Sequence, residues 1–254
     1  MSLLHTKTRL GVIGLFVFIL SSFGFYSFNS PQKPADTPSS AWEKIVSSEN
    51  GQYTHILLLS GNYFSWTVYE TDGGAFQFTK GGSLKKNRNT MEVTYEFHSA
   101  KPEQVGKTET WTVKQKKKKL ILKDAELNGS WSSLDEGINS PLEGPWIFSG
   151  RKRDGEIQRV DMTTRPRKTM KILTENRFQW IAFNTETGKF HGTGGGSYKA
   201  KDGVYTENIG FFSRDNSRVG AALEFQFEVL DGDWHHSGKN SRGEPLYELW
   251  SKRK

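Results

Sequence analysis

The residues best suited to chemistry gather in the C-terminal half of the chain: His191, Tyr198, Tyr205, Glu207 and His236, with Trp180 and Trp234 as apolar walls. Tyr205 and Glu207 are two positions apart, so on a strand their hydroxyl and carboxylate share one face. Polar groups set among aromatics suit the orientation of a small apolar ligand. The plainer reading is core packing for the aromatics and a satisfied or solvent-facing pair for Tyr205 and Glu207.

Other chemistries find less support. Serine, histidine and acidic residues occur, but no nucleophile elbow or related signature positions them. The chain is therefore read as a non-enzyme with no cofactor. An isomerase- or hydrolase-like activity would need a titratable group with a shifted pKa in a pocket, Glu207 or His191 first. His235 and His236 are adjacent, so on a strand they point to opposite faces and do not converge on one ion. His191 could join one of them, yet no acidic cluster completes a set, and no metal site is expected. The stretch Gly192-x-Gly194-Gly195-Gly196 lacks the Lys-Ser/Thr of a phosphate loop and opens no helix. With 0 cysteines among 254 residues, disulfides, thiolate metal sites and cysteine nucleophiles are excluded.

The elements that must position these residues are strands. Aromatic, Thr and Val enrichment with many glycines favours strands and turns, and no segment beyond the N-terminus carries a sustained helical period. The most informative feature is an internal repeat. Leu59–Val113 lies over Leu173–Phe227 without a gap, with 16 of 55 positions identical. Asn62-x-Phe64-x-Trp66 matches Asn176-x-Phe178-x-Trp180, and Gly81-Gly82-Ser83-x-Lys85 matches Gly195-Gly196-Ser197-x-Lys199. In each copy, alternation before Thr71–Gly74 or Thr185–Gly188 predicts a hairpin, and the glycine run predicts a bulge. Leu223, Phe225, Phe227 and Val229 are expected to face inward. The first copy replaces His191 with Gln77, Tyr198 with Leu84, Tyr205 with Met91 and Glu207 with Val93, so a polar site would belong to the second copy alone.

Residues 1–29 read as a signal peptide or N-terminal membrane anchor: Lys7 and Arg9 precede the uncharged stretch 10–28. Residues 30–40 form a Pro/Ser-rich linker, residues 41–134 the first repeat and residues 141–254 the second. The expected location is outside the cytoplasmic membrane (periplasmic, cell-envelope or secreted), with membrane contact only through the N-terminal segment. The net charge of +7 draws heavily on Lys114 and Lys116–Lys119, read as a solvated turn rather than a nucleic-acid surface.

The second copy resembles a lipocalin-like domain of bacterial membrane or secreted proteins. The residues that carry the resemblance are Gly144-x-Trp146, Lys171-Ile172-Leu173, Phe178-x-Trp180, Gly194-Gly195-Gly196-Ser197-Tyr198, Tyr205-Thr206-Glu207, Trp234-His235-His236-Ser237-Gly238 and Glu248-Leu249-Trp250 with Arg253. It implies an all-β fold of two tandem small antiparallel barrels, with Trp146 packed against Arg253. It brings no established activity. The reading that follows is an exported protein whose barrels bind a small hydrophobic ligand. The alternative is a structural or protein-interaction module at the cell surface.

Overall fold

A computed structural model describes residues 38–123, 128–239 and 243–254. The N-terminal hydrophobic segment expected at residues 10–28 lies outside them. The described chain is all-β, with only two 3-10 turns, Pro102–Gln104 and Asn216–Arg218.

The first barrel is an up-and-down meander of eight strands. It runs β1 Ser40–Ser48, β2 Gly51–Ser60, β3 Tyr63–Glu70, β4 Phe76–Lys86, β5 Thr90–His98, β6 Thr108–Lys116, β7 Lys119–Lys123 and β8 Gly129–Ser133. Pairing of Trp42 with Ser133 closes the ring. The second barrel repeats the plan with β9 Gly144–Arg153, β11 Arg167–Leu173, β12 Arg177–Asn184, β13 Phe190–Lys201, β14 Val204–Phe212, β15 Ala222–Leu230, β16 Asp233–Lys239 and β17 Pro245–Lys252. Lys252 pairs with Trp146 to close it. The extra strand β10, Glu156–Arg159, folds back on the end of β9. It lies in the longer connection between β9 and β11, which the first copy lacks.

The repeat extends to the irregularities. Bulges fall at Val68/Tyr69 and Gly81/Gly82 in the first barrel, and at Ala182/Phe183 and Gly195/Gly196 in the second. The glycines are required there. A Cβ on Gly82 would stand 2.0 Å from the Thr94 carbonyl oxygen, and one on Gly196 would stand 2.0 Å from that of Asn208. The lysine run forms the exposed turn between β6 and β7.

Each barrel has its own core. Trp42, Phe64, Trp66, Tyr95, Trp111 and Trp131 fill the first with Leu57, Met91, Val93, Leu120 and Leu122. Trp146, Phe178, Tyr198, Tyr205, Phe225, Trp234 and Trp250 fill much of the second. Along β15, Phe225 is buried and Leu223 and Phe227 pack against the core, but Val229 is 41% exposed, so the inward alternation ends before it. The expected Trp146–Arg253 contact is replaced. Lys252 places its ammonium 3.9 Å from the Trp146 ring centre, and Arg253 turns to the other barrel. One position along a strand changes the face, so neighbouring basic residues divide the two tasks.

A third apolar cluster joins the barrels: Ala41, Ile56, Leu58 and Phe97 from the first meet Met170, Ile172, Ile181 and Phe183 from the second. The seam is reciprocal, as in a two-fold dimer. Phe76 stacks on its repeat equivalent Phe190, ring centres 6.2 Å apart. Tyr69 stacks on Phe211 at 5.2 Å, and their equivalents Phe183 and Phe97 meet at 5.1 Å. Near this axis Gln179 donates to Thr79 and Thr193 and accepts from Thr67.

Candidate functional site in the second barrel

The site is built from alternate residues on neighbouring strands. Thr169 and Lys171 on β11 share an inward face because Met170 and Ile172 point outward into the seam. Lys171 pairs with Trp146 on one side and Trp180 on the other. Tyr205 and Glu207 come from β14, Trp234 and His236 from β16, and Glu248 and Trp250 from β17. Together with Phe225, these strands surround a cavity of about 200 Å3 lined by Lys171, Trp180, Glu207, His236, Glu248 and Trp250, among others.

Its centre is a buried ion pair. Lys171 Nζ lies 3.0 Å from Glu207 Oε1, and both side chains are only 6% exposed. The ammonium also faces three rings, with centres at 4.7 Å for Trp234, 5.1 Å for Trp250 and 5.2 Å for Tyr205. Such a pair costs several kcal/mol per ion to desolvate, and attraction recovers that only when geometry and further hydrogen bonds are good. The site does not provide them fully. The Trp234 indole nitrogen and His236 Nδ1 are buried without a hydrogen-bond partner, and the Tyr205 hydroxyl has only the Glu207 carboxylate beside it.

Burial controls the titration of the surrounding groups. It holds His236 well below its ordinary pKa, with the Lys171 charge acting in the same direction, so the imidazole is neutral. Burial pushes Glu248 up, against the opposing pull of Lys171. The Tyr205 hydroxyl is raised well above its usual range, by burial first and then by the adjacent Glu207 carboxylate.

Five of the seven residues singled out from the sequence converge here: Trp180, Tyr205, Glu207, Trp234 and His236. Trp180 is a half-buried wall, with the Arg214 guanidinium 5.9 Å from its ring. Tyr198 is elsewhere in the barrel. Its hydroxyl donates to the Thr174 carbonyl at 2.6 Å and meets Ser140 Oγ, tying the connection between barrels to the second core. His191 stands at the start of β13, half-buried, and its carbonyl accepts from Arg214. Slight burial and the charges of Arg167, Lys189 and Arg214 lower its pKa. His235 does point away from His236, with Nδ1 2.7 Å from the Tyr247 hydroxyl. Among the described residues no group of three or more His, Cys, Asp or Glu side chains could hold a metal ion.

Sequence reasoning missed Lys171, Glu248 and Trp250. A lysine between Met170 and Ile172 reads as the solvent-facing member of an alternating strand. The usable signal lay in the repeat, where Lys171 falls on Leu57, a position fully buried in the first barrel.

That comparison extends through the site. By strand register, Leu57, Met91, Val93, Leu120 and Leu122 stand where the second barrel has Lys171, Tyr205, Glu207, Trp234 and His236. The same barrel thus closes around a wholly apolar set at these positions. The polar set is not what the fold requires.

Compared with known proteins, the chain matches no protein-family model and no curated protein sequence.

Proposed function

We propose that the second barrel is a binding module for a small ligand with an apolar body and one polar, hydrogen-bonding end, carried on an exported, lipocalin-like protein. The observation that carries this reading is the buried polar set itself. Lys171, Glu207 and His236 line the cavity at positions that the first barrel fills with Leu57, Val93 and Leu122, and His236 Nδ1 is buried there without a partner. Buried unpartnered groups are costly to keep, and a ligand that hydrogen-bonds to them recovers that cost. Trp180, Phe225 and Trp250 offer the aromatic walls against which an apolar body packs. The first barrel, apolar at those positions although it buries Lys80 against Trp66 and Tyr95, is the scaffold on which the second rests. The N-terminal segment, lying outside the described residues, is the export address in this reading.

Native mass spectrometry of the full chain, isolated gently from the envelope fraction of a bacterial host, tests the proposal. A discrete added mass, released on activation and absent from Glu207→Gln and His236→Leu, is expected. A bare protein mass that persists after incubation with an envelope extract would overturn it and favour an interaction module.

A further inference from the structure

The reciprocal seam between the barrels is broken at one pair of places, and the break leaves a second cavity. On one side of the local two-fold, Arg253 reaches from the second barrel to the first. Its guanidinium pairs with both oxygens of Glu96 at 2.7 and 2.8 Å and lies 4.2 Å from the Tyr63 ring centre. On the opposite side the equivalents differ. Glu96 and Tyr63 fall on Gly210 and Arg177 in the repeat. Arg253 falls on Leu134, since Arg253 donates its backbone N–H to Pro145 as Leu134 does to Ala41. The plug of one side is therefore missing from the other, and a cavity of about 250 Å3 stands in its place.

The lining is chemically specific. Ile56, Leu58, Leu134 and the ring of Phe211 provide an apolar wall. Arg177 contributes a guanidinium and Glu43 a carboxylate, both near enough to the Tyr69 hydroxyl to act on its ionisation. Neither side chain forms an ion pair or hydrogen bond among the described residues. Ser197 and Asn208 line the same space. One positive and one negative group within a single small apolar cavity disfavour a simple anion or cation, because each would meet repulsion from the like charge.

We propose that this seam cavity binds a small zwitterion with an apolar body, of which an apolar α-amino acid is the simplest. Its carboxylate meets Arg177, which suits planar bidentate recognition, its ammonium meets Glu43, and its side chain lies against Ile56, Leu58 and Phe211. The site is separate from the cavity inside the second barrel. It needs both repeats, which gives the tandem arrangement a role that a single barrel could not fill.

The repeat also supplies the variants that close the cavity. Gly210→Glu copies Glu96, and a Cβ there meets nothing nearer than 3.5 Å. Arg177→Tyr copies Tyr63. Isothermal titration of the full chain with L-leucine and L-phenylalanine, each alongside its N-acetyl and carboxamide forms, tests the site. Saturable binding of at least one free amino acid is expected, weakened about tenfold or more by blocking either charge and lost in both variants. Absence of binding by both amino acids would overturn the proposal. So would tight binding of both blocked forms, or unchanged binding in a folded Gly210→Glu or Arg177→Tyr protein.

Discussion

Lys171 in the second barrel and Leu57 in the first occupy the same place in the same fold, each paired between two tryptophans. Leu57 lies between Trp42 and Trp66, and Lys171 between Trp146 and Trp180. One barrel packs a methyl-bearing side chain there and the other a charge. The first barrel closes with a leucine there, so barrel closure does not by itself require a charge at this position.

Removing one member of the Lys171–Glu207 pair leaves a buried charge without its partner. Lys171→Leu or Glu207→Val alone should lower stability by roughly 3–5 kcal/mol, read by urea denaturation. The double variant should recover most of that loss. Additive losses in the double variant would show that the two groups are not coupled.

Stability should fall on acidification through the buried imidazoles of His236 and His55, with the more exposed His191, whose pKa is also lowered, adding to them. Burial, with Lys171 adding to it, holds His236 well below its ordinary pKa, and burial with Lys44 lowers His55 to about 4. In the unfolded chain both take a proton near pH ~6.5, so below that value the unfolded state binds more protons and gains weight. Glu248 and Asp135, raised by burial, act in the opposite sense through smaller displacements, adding stability at low pH that is lost as the pH rises. The melting temperature should therefore drop between pH ~6.5 and ~4, and His236→Leu should flatten the drop. A melting temperature that stays level or rises would contradict the assignment of neutral, buried imidazoles.

The Arg253–Glu96 contact carries the docking of one barrel on the other at that edge. Arg253→Ala removes a two-point charged hydrogen bond and the stacking on Tyr63. A loss of about 2–3 kcal/mol is expected by urea denaturation. A loss below about 0.5 kcal/mol would mean that the apolar seam alone sets the arrangement.

The twin bulges should be equally intolerant of side chains. Gly82→Ala and Gly196→Ala each drive a methyl group into a backbone carbonyl and should cost about 1–3 kcal/mol or more. A neutral result at either position, measured by thermal unfolding, would show that the bulge relaxes there.

Much of this architecture was legible because the chain states it twice. The matching of Phe64-x-Trp66 with Phe178-x-Trp180, and of the two glycine runs, placed hairpins, bulges and inward faces. Tyr205 and Glu207 were correctly set on one face by their spacing. What could not be read was the seam. Met170 and Ile172 occupy it, so Lys171 turns inward although alternation alone assigns it to solvent. Arg253 likewise crosses to Glu96, leaving Lys252 to cover Trp146. Both departures follow from an interface between repeats, which the pattern within either repeat does not encode. Residue type alone groups His191 with the site, but its place at the start of β13 keeps it outside the cavity.

The central claim is that the polar interior of the second barrel serves binding and not folding. The most direct test converts that interior toward the first barrel with Lys171→Leu, Glu207→Val and His236→Leu, adding Glu248→Gln so that no lone buried charge remains. Urea denaturation and native mass spectrometry are then applied to the same preparation. The prediction is a folded protein at least as stable as the parent that has lost the added mass. Retention of the bound mass by the folded variant, or a bare mass in parent and variant alike, would contradict the claim.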